Sequence, residues 1–166
     1  MFVFFRALVY ATLFIGLLLI YLPSQLLRWA GISRPASLDW PQIAASIVAF
    51  VVGSLGAIIA LSCVAAFVFI GKGTPAPFDP PRRLVIRGPY RFVRNPMYLG
   101  AALALASAAL YYQSVALLVF AAGFYLVTHL FVTLYEEPTL KRTFGPDYDL
   151  YCHTVRRWWP RFHGAR

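Results

Sequence analysis

Met97-Tyr-Leu-Gly-Ala-Ala-Leu-Ala-Leu-Ala-Ser-Ala-Ala-Leu-Tyr-Tyr112, then Gln113, then Ser114-Val-Ala-Leu-Leu-Val-Phe-Ala-Ala-Gly-Phe-Tyr-Leu-Val-Thr-His-Leu-Phe-Val-Thr-Leu-Tyr135, is the stretch that decides the fold. Two apolar runs, each near the roughly 20 residues that cross a bilayer as a helix, meet with almost no loop. They read as an antiparallel helical hairpin. Its open ends, Asn95-Pro96 and Glu136-Glu137, therefore lie side by side at one membrane surface.

Two further runs, Val3 to Leu22 and Gln42 to Ile70, bring the spans to about four; the third, Met97 to Tyr112, is short and the second long enough to tilt. The composition agrees: 60% of the 166 residues are hydrophobic and 13% charged, which does not fit a soluble globule. The expected fold is all-α, a polytopic membrane helix bundle with a short helical cytoplasmic tail at the C-terminus. The first run is read as a retained span, because its core is too long for a secretory signal and Pro23-Ser24-Gln25 is no small-residue cleavage site.

The formal net charge of +9 is distributed in a telling way. Lys72, Arg82, Arg83, Arg87, Arg91 and Arg94 crowd the segment 71–96, and Lys141, Arg142, Arg156, Arg157, Arg161 and Arg166 the tail 136–166. Only Arg28 and Arg34 lie between Pro23 and Pro41, and Gln113 has no cationic neighbour. Such segments resist translocation, so both termini are expected on the cytoplasmic side, of the inner cell membrane in a prokaryote. Residues 1–70 then hold the first two spans, 71–96 a cytoplasmic connector, 97–135 the hairpin and 136–166 a tail, all in one membrane domain. Attraction to anionic head groups follows from the same charges. Nucleic acid is not an expected partner, since no soluble basic module is present to bind it.

Small residues mark helix contacts: Gly53, Gly56, Ala57 and Ala60 in the second span, and Gly100, Ala104 and Ala108 at four-residue spacing in the third. The Pro- and Gly-rich Gly71 to Pro81 reads as an irregular connector. Its Gly-Lys-Gly-Thr is not a phosphate loop, because Gly73 stands where Ser or Thr is needed and Ala66 where the first Gly is needed. Leu84 to Ile86 is expected to be briefly extended before a turn at Gly88-Pro89, and short helices are expected over Thr139 to Phe144 and Asp147 to Val155. Cys63 and Cys152 do not look like a disulfide pair, and no metal-ligand spacing occurs.

Several polar residues stand out, each with a structural alternative. Asn95-Pro96 could simply start a helix, Asn as cap and Pro as first residue. Glu136 and Glu137, at the C-terminal end of a span, face the negative end of its dipole and need compensation. Lys141, Arg142 or a following helix could supply it; so could a ligand with hydroxyl groups or positive charge. His129, seven and eight residues earlier on roughly the same face, is either a neutral side chain bonded to a neighbouring helix or a functional group in a polar cavity. Tyr90, Tyr98, Tyr148 and Tyr151 fall near the same surface, where interfacial anchoring is the simpler role.

The run Gly88-Pro-Tyr-Arg-Phe-Val-Arg-Asn-Pro-Met-Tyr-Leu-Gly100, the hairpin, Glu136-Glu137-Pro-Thr-Leu140, Phe144-Gly145, Tyr148, Tyr151 and Val155-Arg-Arg-Trp-Trp-Pro160 together resemble the isoprenylcysteine carboxyl methyltransferase family, which also includes membrane phospholipid methyltransferases. The resemblance implies an S-adenosylmethionine-dependent methyltransferase with a lipid or lipid-linked acceptor. It implies that Arg94, Asn95, Pro96, Tyr98 and Gly100 border the cofactor and that Glu136 and Glu137 hold its polar groups. Arg157 and Tyr151 would close the pocket or meet the acceptor, and His129 would take a proton if the acceptor is an amine or thiol. The family's Arg-His-Pro-x-Tyr reads Arg94-Asn95-Pro96-Met97-Tyr98 here, and Asn cannot titrate as His does. Two other classes stay open: an NADPH-dependent membrane reductase of lipid or sterol double bonds, and a non-enzymatic bundle that binds lipid.

Overall fold

The computed structural model describes residues 5, 9, 12–33, 39–71 and 83–160. Among them the chain is all-helical. Three helices are long and apolar enough to cross a membrane: α1 (Thr12–Trp29), α2 (Trp40–Gly71) and α4 (Val115–Phe144). The shorter apolar α3 (Pro96–Tyr111) forms the first arm of the hairpin, and α5 (Pro146–Thr154) follows α4. The expected first half of span one and most of the connector, including Gly-Lys-Gly-Thr, lie outside the described residues.

Local chemistry sets the helix starts. The Asp39 carboxylate accepts the Gln42 N–H at 3.2 Å ahead of α2, and the Ser114 hydroxyl accepts the Leu117 N–H at 3.3 Å ahead of α4. Between α3 and α4, Gln113 takes φ +47°, closing the hairpin in the space of a tight turn.

Two expected helix ends are not ends. α1 continues past Leu22 through Pro23 to Trp29, and α4 continues past Tyr135 through Pro138 to Phe144, so Thr139 to Phe144 is no separate helix. In both places a widened π turn precedes the proline: Ile15–Tyr21 in α1 and Val132–Glu136 in α4. The Leu22 N–H donates to the Leu17 carbonyl and the Glu137 N–H to the Val132 carbonyl, five residues back. Proline has no N–H, and its ring crowds the carbonyl one turn earlier; a wider turn just before it carries the helix past the ring. As a result, Glu136 and Glu137 sit inside a continuous helix rather than at the negative end of a dipole.

The α2–α3 pair is the tightest contact. A Cβ built on Gly56 would lie 2.7 Å from the Gly100 carbonyl oxygen, and one on Gly100 would lie 2.8 Å from that of Gly56. Only glycine permits that approach, which stands in for hydrophobic driving force inside lipid. Ala60, Leu103 and Ala104 complete the seam, whereas Ala57 is exposed on the other side of α2. At the hairpin tip, Gln42 donates to the Tyr111 carbonyl at 3.2 Å and accepts from Gln113, which fixes the register of α2 against the hairpin. Ser107 adds a bond to the Ala49 carbonyl at 2.7 Å.

Candidate functional site

At the opposite end of the bundle the chain makes a basic turn before α3. Gly88 has φ +63°, a conformation that favours glycine, and Pro89 then starts a single 3₁₀ turn, Gly88–Arg91. This turn drives Tyr90 inward against Cys63, Ala66 and Phe67 of α2; the Phe67 and Tyr90 rings meet edge to face at 5.5 Å. Leu84 to Ile86 forms no strand, but Val93 makes an isolated parallel bridge with Arg156, and the Arg94 N–H donates to the Arg156 carbonyl at 2.9 Å. The tail is thus laid alongside the turn.

Asn95 does not cap α3 with its side chain. Its amide Nδ2 donates instead to the Arg157 carbonyl at 3.4 Å, while Pro96 fills the first helical position and is fully buried. Gly100 is spent on the α2 contact described above, so it faces the Gly56 backbone rather than the polar cluster.

The centre of that cluster is Glu137. Arg157 grips its carboxylate from Nε at 2.8 Å and Nη2 at 2.6 Å, and Arg94 Nη2 stands 3.2 Å from the same group. The Glu137 and Arg94 side chains are 16% and 13% exposed, so this is a largely desolvated triad; the Arg157 side chain, at 33%, closes it from outside. The bond to Glu137 is also what holds the Arg157 guanidinium above its ordinary pKa. Compensation therefore comes from Arg94 and Arg157, and not from the neighbours in sequence: Lys141 pairs with Asp149 at 3.0 Å and Arg142 is exposed.

Glu136 points elsewhere. Its Oε2 accepts the Tyr98 hydroxyl at 3.0 Å, and the two residues line a cavity of about 30 Å³ with Phe67, Tyr90, Arg94, Asn95 and Met97. Arg94 donates through Nη1 to the Cys152 sulfur, while its Nε, also buried, has no hydrogen-bond partner among the described residues. A buried guanidinium N–H without an acceptor is rare and costly. The Arg94 side chain lines one space with a carboxylate, an amide and two phenols. In this closed form the space admits a water or two, far below the roughly 300–1,000 Å³ of small-molecule sites.

The tail is clasped in three more places. The Tyr151 hydroxyl donates to the Tyr90 carbonyl at 2.6 Å, Tyr148 packs beside it, and the Trp158 indole N–H donates to His129 Nδ1 at 3.0 Å. Burial is the main reason that the Tyr90, Tyr148 and Tyr151 phenols are all pushed above their ordinary pKa. His129 thus accepts through Nδ1, which leaves Nε2 as its donor position. It stacks with Tyr125 and Trp158 and does not line the cavity.

Of the residues singled out from sequence, Arg94, Asn95, Tyr98, Glu136, Glu137 and Arg157 come together; Tyr151 acts one layer out, and Gly100 and His129 lie apart. Cys152 and Trp158 were not foreseen. No signal marked Cys152, whereas Trp158 lies in the Val155-Arg-Arg-Trp-Trp-Pro160 run that carries part of the family resemblance.

The fold and site define an integral membrane protein with a small polar cavity where the open end of a helical hairpin meets the basic turn and the end of α2. The chain belongs to the phospholipid methyltransferase family, whose model matches residues 43–147, more than half of it. The matched span contains the basic turn, both glutamates and the hairpin, while Tyr151, Arg157 and Trp158 lie beyond it. No curated protein and no solved structure matches the chain.

Proposed function

We propose that this protein transfers a methyl group from S-adenosylmethionine to a lipid or lipid-linked acceptor within the membrane. Family membership supports lipid methylation in general. The observation that carries the finer reading is that Arg94, whose buried Nε has no hydrogen-bond partner among the described residues, lines the same small cavity as Glu136, Tyr98 and Asn95. That donor set fits a ligand bearing both hydroxyl groups and a carboxylate: Glu136 would accept from hydroxyls, and Arg94 would donate to an anion. When bound, the cofactor supplies an activated methyl group on a sulfonium.

The protein's share is alignment and exclusion of water. Glu137 is committed to Arg94 and Arg157, so its part is to hold the basic turn against the tail rather than to meet the ligand. Arg157 and Tyr151 serve the same closure from the tail side. Admission of a nucleotide-sized ligand to a cavity of about 30 Å³ requires its walls to part, the Tyr98–Glu136 bond included. A carboxylate acceptor needs no base. An amine or thiol must lose a proton, and Glu136, which borders the cavity, is better placed to take it than His129, whose Nδ1 is occupied by Trp158. Asn95, standing where the resembling family has His, holds the tail by its amide and takes no proton. The charge distribution supports a cytoplasmic site face, where a polar cofactor can enter while the acceptor arrives from lipid.

A reductase would call for phosphate-binding cations in the tail, and Arg157 there is already paired with Glu137. Titration of the detergent-purified protein with S-adenosylhomocysteine and, separately, NADPH tests the proposal. Saturable binding of the first alone is expected; binding of NADPH alone would overturn it.

A further inference from the structure

Beyond the pocket, the bridge between Val93 and Arg156 brings two sequence-distant segments into one outer surface. Val93, Val155 and Trp158 point inward and are buried; Arg91, Phe92, Arg156 and Trp159 remain exposed. Phe92 is 52% and Trp159 74% exposed, and Ile86, just before the turn, 50%. The Arg91 guanidinium lies 4.5 Å from the centre of the Phe92 ring, an exposed pairing of cation and aromatic face. Arg83 and Arg87 are exposed on the same turn.

Among the described residues these arginines have no ion pair. The pairs there are Arg94 and Arg157 with Glu137 and Lys141 with Asp149, so no described carboxylate serves Arg83, Arg87, Arg91 or Arg156. The position of the patch is equally telling. It hangs from the start of α3 at Pro96 and is packed, through Tyr90, on the last turns of α2, so it lies where two apolar helices leave the hydrocarbon. Cations interleaved with aromatic side chains at that depth match phosphate groups and the acyl boundary simultaneously.

We propose that Arg87, Arg91 and Arg156, with Phe92 and Trp159, form a docking surface for anionic phospholipid head groups at the rim of the pocket. The aromatic side chains enter the interface, and the guanidinium groups take phosphates whose net charge is negative. A zwitterionic head group offers the phosphate but cancels the attraction with its own cation. Selectivity for anionic lipid is therefore the property that distinguishes this surface from a general membrane anchor, and it holds whether or not the pocket transfers methyl groups.

The test uses the full chain reconstituted in bilayers of phosphatidylcholine containing a defined fraction of phosphatidylglycerol, followed by native mass spectrometry of the lipids retained. The wild type is expected to keep phosphatidylglycerol in at least about tenfold preference, and each neutralised arginine to reduce that preference about fivefold, in line with the strength of one basic group at a charged leaflet. The variant Arg87→Gln/Arg91→Gln/Arg156→Gln thus loses it, and Arg28→Gln, at an exposed arginine of α1, retains it. Absence of preference in the wild type, its persistence in the triple variant, or an equal loss in Arg28→Gln overturns the proposal. Displacement of the retained lipid by a soluble acidic peptide would identify a protein partner instead and overturn it as well.

Discussion

Replacing Glu137 by Gln removes the one negative charge that two arginines share, and the structure allows the consequence to be sized. Breaking a buried ion pair by deleting one partner costs about 3–5 kcal/mol, because the remaining charge is stranded. Arg94 is deeply placed, but Arg157 is a third exposed and recovers some hydration, so the lower end, about 3 kcal/mol, is expected. The loss should appear as local opening of the tail and not as global unfolding, since the α2–α3 seam and the hairpin tip do not involve Glu137. Amide hydrogen exchange across Tyr151 to Trp158 reads it directly: about 3 kcal/mol corresponds to roughly 150-fold faster exchange. Adding Arg157→Gln to Glu137→Gln should cost little more, because the two share one interaction. Acceleration of less than about fivefold, or full additivity in the double variant, would refute the idea that this triad holds the tail closed.

Three other outcomes follow from the same geometry. Gly100→Ala puts a Cβ within 2.8 Å of the Gly56 carbonyl and should destabilise the bundle by about 1–3 kcal/mol in denaturant titration, while Gly123→Ala, with nothing within 4 Å, should not. The raised phenols make stability pH-dependent in one direction: Tyr90, Tyr148 and Tyr151 keep their protons when folded but release them near pH 10 when unfolded. Stability should hold below that value and fall above it by up to about 1.4 kcal/mol per pH unit per tyrosine, and Tyr151→Phe should remove one proton's share of the slope in a stability–pH series. Trp158→Phe deletes the bond to His129 and should cost about 1 kcal/mol of tail protection, seen in hydrogen exchange, together with a shifted His129 imidazole resonance.

The hairpin was legible because a lone Gln113 between two apolar runs leaves the chain no option but to turn back, and that turn alone brings Asn95 and Glu136 to one surface. The small-residue seam was legible for a related reason, since in lipid close backbone approach is what residues such as Gly56 and Gly100 provide. The continuity of α1 and α4 was not. Pro23 and Pro138 read as stops in any pattern of α-helical period, and the widened turns that carry the helix past them have no compositional signature. For the same reason the orientation of the acidic doublet was open, because a π turn changes which face Glu136 and Glu137 present. Sequence neighbours Lys141 and Arg142 were natural partners for these carboxylates, yet the partners came from Arg94 and Arg157, each brought in by tertiary contact. Asn95 obeyed the rule for helix starts in position but not in bonding: a tail carbonyl claimed its amide.

Calorimetric titration of S-adenosylhomocysteine into wild-type and Glu136→Gln protein shows whether the cavity beside Glu136 receives a methyl donor. Loss of a charged acceptor for ligand hydroxyls is expected to weaken binding roughly 10- to 100-fold with the helical bundle intact. Equal affinity in the two proteins would contradict the account.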